Sequence, residues 1–343
     1  MLFVNTLAAM AGALSLQTPV EDAQSRFEAF AEEFPSLNVA VSVEGEIVFE
    51  AEGGIARTGA DGLDTDYNFY SIAKLLTATA YARLEAEAEA GLDLDTAVRV
   101  IDPTLPDHYE AVTLRQLLNH RGGVRHYRGE RDWRDFAERS CETPADALGH
   151  FIDDALIHEP GTEQQYTTFG YVLLSHLLLE ITGTNSFDAA MTAALGDAYL
   201  AHTDRAGADK AANMFGNLSR MRVLENMSAE CKFGGGGLLA SARDLANMGG
   251  ALARGEILAL DALSDAIDTE EGPFGIAAGY SEINDVHYAA HSGGSPGGRA
   301  YLLVFIEPQI VVAVTSNYDG PNHGEFALGM AELFSDLDLA RDE

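Results

Sequence analysis

The chain of 343 residues carries 21 Lys and Arg against 54 Asp and Glu, a formal net charge of −33, with 47% hydrophobic and 22% charged residues. That balance argues against wholesale disorder, a coiled coil or a multi-span membrane protein. So negative a field repels phosphate backbones and anionic lipid headgroups, which argues against nucleic-acid and membrane-surface partners.

The length predicts two domains, or one large one with an insertion. Residues 2–16 form an apolar run too short to span a membrane comfortably, followed by Gln17, Thr18 and Pro19. It reads as the core of a signal peptide covering residues 1–18, which predicts a periplasmic or secreted protein with no stable membrane insertion after processing. Residues 23–34 space Phe27, Phe30 and Phe34 as one face of a helix, closed by Pro35. Residues 37–56 alternate as two strands around Glu44-Gly45-Glu46, a hairpin signal. Ser71 to Ala90 predicts a helix with Ile72, Leu75, Leu76, Ala80 and Leu84 on one side, ended by Gly91. Residues 161–183 predict a turn running into an apolar helix capped by Gly183. Near the far end, residues 300–317 predict a strand pair around Glu307-Pro308-Gln309, and residues 326–337 a last amphipathic helix.

The strand signals therefore lie at both chain ends and the helical ones between. Hairpin-linked strands imply antiparallel pairing, so residues 23–65 and 231–343 are expected to build one sheet lobe, with residues 66–230 inserted as a helical lobe. The cleft between two such lobes is the expected ligand site. Cys141 and Cys231, 90 residues apart, are too few for a structural zinc site or a disulfide framework; two free buried thiols are the default expectation, and a single bridge between them is the alternative.

Ser71 and Lys74 are one helical turn apart and share a face. A serine hydroxyl attacks well only when a base takes its proton, and a lysine can serve only if burial or the helix dipole depresses its pKa. The start of the helix also offers the Ser71 backbone N–H as an oxyanion donor. Taken alone, the pair reads as a helix cap with a solvated lysine. Tyr166 and Thr168 open a second helix, and His291, Ser292, Gly293 and Gly294 fall in a strand-like stretch. Each of these is ordinary by itself. Gly293 to Gly297 also fits G-x-S-x-G, but a nucleophile elbow needs a helix after it, and residues 300–305 read as a strand. His120, His126 and His158 lack a metal-binding spacing and are read as surface or structural residues, so no metal site is expected. Glycines 234–237 are read as close backbone packing beside the cleft.

In this order, Ser71/Lys74, Tyr166/Thr168 and His291/Ser292/Gly293 resemble the S-x-x-K, Y-x-[NST] and [KH]-[ST]-G motifs of the penicillin-recognising serine hydrolases. That group contains class C β-lactamases, D-alanyl-D-alanine peptidases and related esterases. Connecting segments at 91–98, 112–127, 159–174 and 234–249 are similar as well, so the resemblance covers roughly residues 24–335. YTTFGY, HRGGVRHY and KFGGGGLLAS resemble most the mitochondrial serine β-lactamase-like branch and its bacterial relatives, regarded as peptidase-like or esterase-like.

The resemblance implies an α+β, β-lactamase/DD-peptidase-like fold: an antiparallel sheet flanked by helices, with an inserted all-helical lobe. It implies acylation of Ser71 by an amide or ester substrate, with Lys74 and Tyr166 exchanging the proton. His291 would orient Tyr166 or a substrate carboxylate, and an oxyanion site would lie between the N–H groups of Ser71 and Gly294. Thr168, Ser292 and Gly293 would contact the substrate, a small molecule or peptide, and no cofactor is needed. Thr168 stands where lactamases usually have asparagine, and His291 replaces a fixed charge with a group expected to titrate near neutral pH. Both departures weaken the case for efficient β-lactam hydrolysis and leave ester or peptide cleavage intact. The alternatives are a true β-lactamase, a D-alanyl-D-alanine peptidase, or a non-catalytic sensor or scaffold that keeps the pocket.

Overall fold

A computed structural model describes residues 18–54, 62–87, 91–200, 229–259, 262–263, 279–283, 286–320 and 322–335, with three two-residue strands between 204 and 223. The expected signal segment lies outside the described residues up to Thr18, which opens the first helix. The principal helices are α1 (18–31), α2 (Ala73–Ala86), α3 (Thr168–Thr182), α4 (Phe187–Leu195), α5 (Ala242–Ala253) and α6 (His323–Leu333). The strands run from β1 (Leu37–Val43) and β2 (Glu46–Gly53) through β3 (Tyr67–Asn68), β4 (Asp204–Arg205), β5 (Met214–Phe215), β6 (Arg222–Val223) and β7 (Leu238–Ala240). They close with β8 (Gly279–Ile283), β9 (Val286–Ser295), β10 (Gly298–Phe305) and β11 (Ile310–Ser316).

Six of these strands form one sheet in the order β2-β1-β11-β10-β9-β8, and every neighbouring pair is antiparallel. The first hairpin therefore meets the last one side by side, as the strand signals at the two chain ends imply. The β1–β2 turn places Glu44 at φ 50° and Gly45 at φ 88°. Two successive positive φ values are what a two-residue hairpin turn of matching twist requires, and glycine adopts them without a Cβ clash.

Both faces of the sheet are covered, so its central strands read as nearly continuous apolar runs rather than clean alternations. On β11, Ile310, Val312 and Val314 pack with Phe27, Phe34, Phe326 and Met330 of α1, α6 and the loop after α1, forming the outer core. The intervening Val311 and Ala313 face the other way, into the core shared with Leu245, Met248 and Leu252 of α5 and with the apolar side chains of α2 and α3. Short strands of two or three residues punctuate the helical middle of the chain: β3, β7 and β4 form a small sheet, and β5 and β6 pair with each other.

Both ends of α2 differ from expectation, and the first and last helices are each shifted by three to five residues toward the N-terminus. The helix predicted from Ser71 starts as a 3-10 turn, Tyr70–Ile72, and becomes α-helical only at Ala73. The cause is local: Asn68 Oδ1 accepts the Tyr70 N–H at 2.6 Å, and Tyr70 sits at φ 48°, a left-handed conformation that an α-helix cannot contain. The same helix ends at Ala86, with Glu87 extended at ψ 102°, rather than at Gly91.

The expectation of free thiols is overturned: Cys141 and Cys231 form a disulfide, their Cα atoms 5.2 Å apart. Counting cysteines along the chain cannot reveal this, because the pairing depends on the Pro144–Leu148 helix packing against the turn at Glu230–Gly235. Both residues are buried, as expected. The bridge closes a long loop, so reducing it should lower stability by about 2–4 kcal/mol and Tm by roughly 4–8 °C. Calorimetry of the oxidised protein beside a Cys141→Ser/Cys231→Ser variant tests this, and superimposable melts would show that the bridge stabilises nothing.

Candidate active site

The nucleophile candidate lies where the strained Tyr70 turn feeds α2. Ser71 follows Tyr70 directly, and the Lys74 ammonium reaches back one turn to donate to Ser71 Oγ at 3.2 Å. Lys74 is 0% exposed. Its second acceptor is the Gly235 carbonyl at 2.5 Å, and among the described residues no carboxylate pairs with it. A buried cation without a counter-charge is costly, and burial pulls the Lys74 pKa down to about 7. The amine is thus partly neutral near physiological pH.

The turn that supplies the Gly235 carbonyl is fastened to both flanking helices. Thr77 Oγ1 of α2 donates to the Gly234 carbonyl at 3.0 Å, and the Gly234 N–H donates to Ser175 Oγ of α3 at 3.0 Å. Phe233 stands at φ 42° within this turn. The disulfide ties the preceding residue, Cys231, to the Cys141 segment. The expected close packing of glycines 234–237 is therefore present, and one of their carbonyls also holds the candidate base.

Tyr166 precedes α3, and its hydroxyl lies beside the Ser71 side chain. The residue is 38% exposed, yet protein crowded around the hydroxyl pushes its pKa up to about 12, against the lowering effect of the Ser71 contact. Lys74 Nζ lies 4.9 Å from the Tyr166 ring centre. Two histidines set the position of Tyr166 by satisfying N–H groups at the start of α3, where the helix cannot satisfy its own. His120 Nδ1 accepts from Thr167 N at 3.2 Å, and His126 Nδ1 accepts from Thr168 N at 3.2 Å. Their rings flank the phenol at 4.6 Å and 5.7 Å between centres. Thr167 caps the helix by accepting from Gly170 N, and its hydroxyl donates to the Arg125 carbonyl at 2.7 Å. His120 and His126 were read as surface or structural. They are structural, but they build the site, and His126 lines it.

The pocket, about 250 Å³, is lined by Ser71, Tyr166, Thr168 and Gly294 among the expected residues, together with Tyr70, His126, Tyr127, Trp133, Lys232, Gly235, Gly236, Ser295 and Pro296. No acidic side chain lines it among the described residues, although the chain carries 54 of them. Lys74 lies beneath this surface. His291 and Gly293 pair with Leu302 and Ala300, whose side chains belong to the inner core, so they share the sheet face that meets the Tyr70–Ile72 turn. Ser292 pairs with Tyr301, whose side chain packs with the outer core, and it does not line the pocket.

His291 was expected to titrate near neutral pH. Burial and the nearby Lys74 charge instead pull it down to about 4, so the imidazole is neutral across the physiological range. Its Nδ1 donates to the Ser292 carbonyl at 2.7 Å, which leaves Nε2 as an acceptor. His126 is likewise lowered to about 4, by burial and then by Lys74 and Lys232. The groups of the site that change charge near neutral pH are Lys74 and Lys232, the latter pulled down to about 8 by burial and then by the Lys74 charge.

The rejected G-x-S-x-G stretch is a β-hairpin. Ser295 pairs with Gly298 across Pro296-Gly297, and β10 follows where an elbow would need a helix. Among the described residues no cluster of three or more His, Cys, Asp or Glu could hold a metal ion, and no helix is long and apolar enough to cross a membrane.

The β-lactamase family profile matches residues 23–335, and the chain belongs to that family. It is 25% identical over 399 aligned positions, 84% of this chain and 72% of the relative, to the human mitochondrial serine β-lactamase-like protein LACTB. Among solved structures it is similar to a D-stereospecific amidohydrolase from Streptomyces sp., with TM-score 0.73, 20% identity and coverage of 91% of this chain and 98% of that one. It is also similar to EstCE1, a hydrolase with promiscuous acyltransferase activity, with TM-score 0.72, 16% identity and coverage of 94% and 99%. At such identities the two structures establish the fold, a β-lactamase/DD-peptidase-like one.

Gly293 and Gly298 lie beneath Tyr70: a Cβ on Gly293 would collide with the Phe69 carbonyl, and one on Gly298 with the Tyr70 ring and hydroxyl. A Gly293→Ala substitution should therefore push the nucleophile turn off the sheet and destabilise the fold by ~1–3 kcal/mol. Denaturant unfolding checks this, and an unchanged midpoint would show that the turn is not seated on Gly293.

Proposed function

We propose that this chain is a serine hydrolase that cleaves an ester or amide through an acyl-enzyme on Ser71. The observation that carries the reading is the contact of Ser71 Oγ with a buried lysine held near neutrality and with the Tyr166 hydroxyl. The neutral Lys74 amine accepts the Ser71 proton as Oγ attacks the carbonyl carbon and the C–Oγ bond forms. The oxyanion is received by backbone N–H groups at Ser71 and Gly294, both on the pocket wall. The leaving alcohol or amine departs with a proton delivered through Tyr166 or Lys74. Water then attacks the acyl carbon by the same route, the C–Oγ bond breaks, and the acid is released. Neutral His291 acts as an acceptor beside this relay and as a means of keeping further positive charge away from Lys74.

Thr168 favours ester or simple amide cleavage over β-lactam hydrolysis, since it offers a short hydroxyl where a lactamase would offer an amide. The amidohydrolase and the EstCE1 hydrolase with its promiscuous acyltransferase activity, among the similar structures, fit the same reading. The disulfide fits the export inferred from residues 1–18, because such bridges persist in oxidising compartments.

Intact mass after a fluorophosphonate and turnover of a p-nitrophenyl ester test the mechanism. The wild-type protein should gain one adduct and turn over, and Ser71→Ala should lose the adduct and at least about 10³-fold of the rate. A penicillin incubated alongside should acylate slowly or leave the mass unchanged. A protein that binds ligands and never turns them over would be a sensor.

The pH profile follows from Lys74. Protonation below about 7 removes the base, so kcat/KM for an uncharged ester, which does not call on the Lys232 charge, should be level in mildly alkaline solution and fall as pH drops. The fall should approach tenfold per unit below about pH 6. His291, with its pKa at about 4, adds no inflection in this range. A profile flat from roughly pH 5 to 9 would remove Lys74 from the role of base.

A further inference from the structure

The acyl-transfer steps leave one buried cation of the pocket unused. Lys232 is 7% exposed and lines the same cavity as Ser71. Its stem runs past Gly236, where a Cβ would come within 3.4 Å of Lys232 Cδ. Its ammonium lies 3.5 Å from Ser295 Oγ at the tip of the β9–β10 hairpin and 5.7 Å from the centre of the Tyr70 ring. Neither neighbour carries a negative charge, and among the described residues Lys232 has no carboxylate partner. The backbone that holds it is anchored by the disulfide at Cys231 on one side and the stitched glycine turn on the other.

A buried ammonium with no counter-ion costs free energy unless something supplies the charge. An anion would have room here, because the cavity opens beside the ammonium and has no acidic wall among the described residues. Tyr127 lines the pocket as well, and its hydroxyl is buried without a hydrogen-bond partner. It offers a second donor to an oxyanion-bearing group. On the sheet side, His291 is neutral and cannot serve as the anion receptor, so Lys232 is the cation of the pocket surface.

Resting on the acyl-transfer reading above, we propose that Lys232 is the specificity-determining residue of this cleft. It receives a carboxylate of the substrate, so the preferred esters or amides are those that carry a carboxylate on the acyl chain or on the leaving group. Ser295 and Tyr127 complete its receptor. The strongly negative exterior disfavours such substrates at long range, and the acid-free pocket with its one surface ammonium reverses that preference on contact.

The test compares butyrate esters with matched esters that carry a carboxylate on the acyl chain (an adipate monoester) or on the leaving group (3-carboxyphenyl butyrate). Wild-type protein should favour one carboxylated ester over its neutral counterpart in kcat/KM. In Lys232→Gln and in Lys232→Met that ratio should fall by about 10–100-fold, mainly through KM, while Lys232→Arg keeps most of it. Two neutral variants guard against one that fails to fold, and circular dichroism checks each. An unchanged ratio in both neutral variants, or a wild-type protein that prefers the neutral ester in both series, would overturn the assignment.

Calorimetry separates this failure from failure of the mechanism. Ser71→Ala should bind adipate at least tenfold more tightly than Ser71→Ala/Lys232→Gln, whether or not any ester is turned over. Equal or absent binding would overturn the proposal with the hydrolase reading left standing.

Discussion

The site depends on one expensive arrangement, an ammonium group shut away from water with a backbone carbonyl and a serine hydroxyl as its partners. Lys74 could be held fully charged by a neighbouring carboxylate, and its pKa would then rise out of useful range. Using the uncharged Gly235 oxygen in that place keeps the amine near neutrality. The consequences spread outwards. The carbonyl must be delivered by a turn whose own backbone is strained at Phe233, and that turn must be fastened to α2, to α3 and, through Cys231, to a distant segment. The disulfide is thus part of the site's framework as well as of the fold's stability.

The sheet contributes rigidity on the opposite wall. With both faces covered by apolar helices, β9 and β10 cannot shift without disturbing two cores. The nucleophile turn is pressed onto this wall where glycines remove the side chains that would hold it off. On the remaining side, His120 and His126 use their ring nitrogens to finish the first turn of α3 and so fix the phenol of Tyr166. Burial and the nearby lysine keep both imidazoles neutral, so they accept hydrogen bonds without adding charge that would compete with Lys74 for its proton.

Charge and location part company in this molecule. An exterior with a net charge of −33 encloses a pocket whose described walls carry lysine and no acid. A solvated surface accumulates acidic residues at little cost. Beside a developing oxyanion, each would oppose the reaction. Exterior charge and pocket charge therefore answer to different constraints, and the composition speaks only for the first.

Local pattern was enough for the parts of the molecule whose cause is local. The Glu44-Gly45 turn, the hairpin pairing of the terminal strands, the glycine that caps α3 and the Ser71–Lys74 spacing all follow from backbone preference and side-chain period. The order of the three motifs was legible for the same reason. Contacts between distant segments were not. The Cys141–Cys231 bridge, the Gly235 carbonyl on Lys74 and the entry of Lys232, His126 and Tyr127 into the pocket each join segments separated by tens of residues or more. Even the titration of His291 was misread from its type alone, since desolvation and a neighbouring lysine shift an imidazole by amounts that no sequence spacing encodes. The sequence by itself determined which elements form and which residues have the chemistry to react. The tertiary structure decided which of them lose water together, and loss of water is what brings an ordinary lysine near neutrality and a surface-looking histidine into the pocket wall.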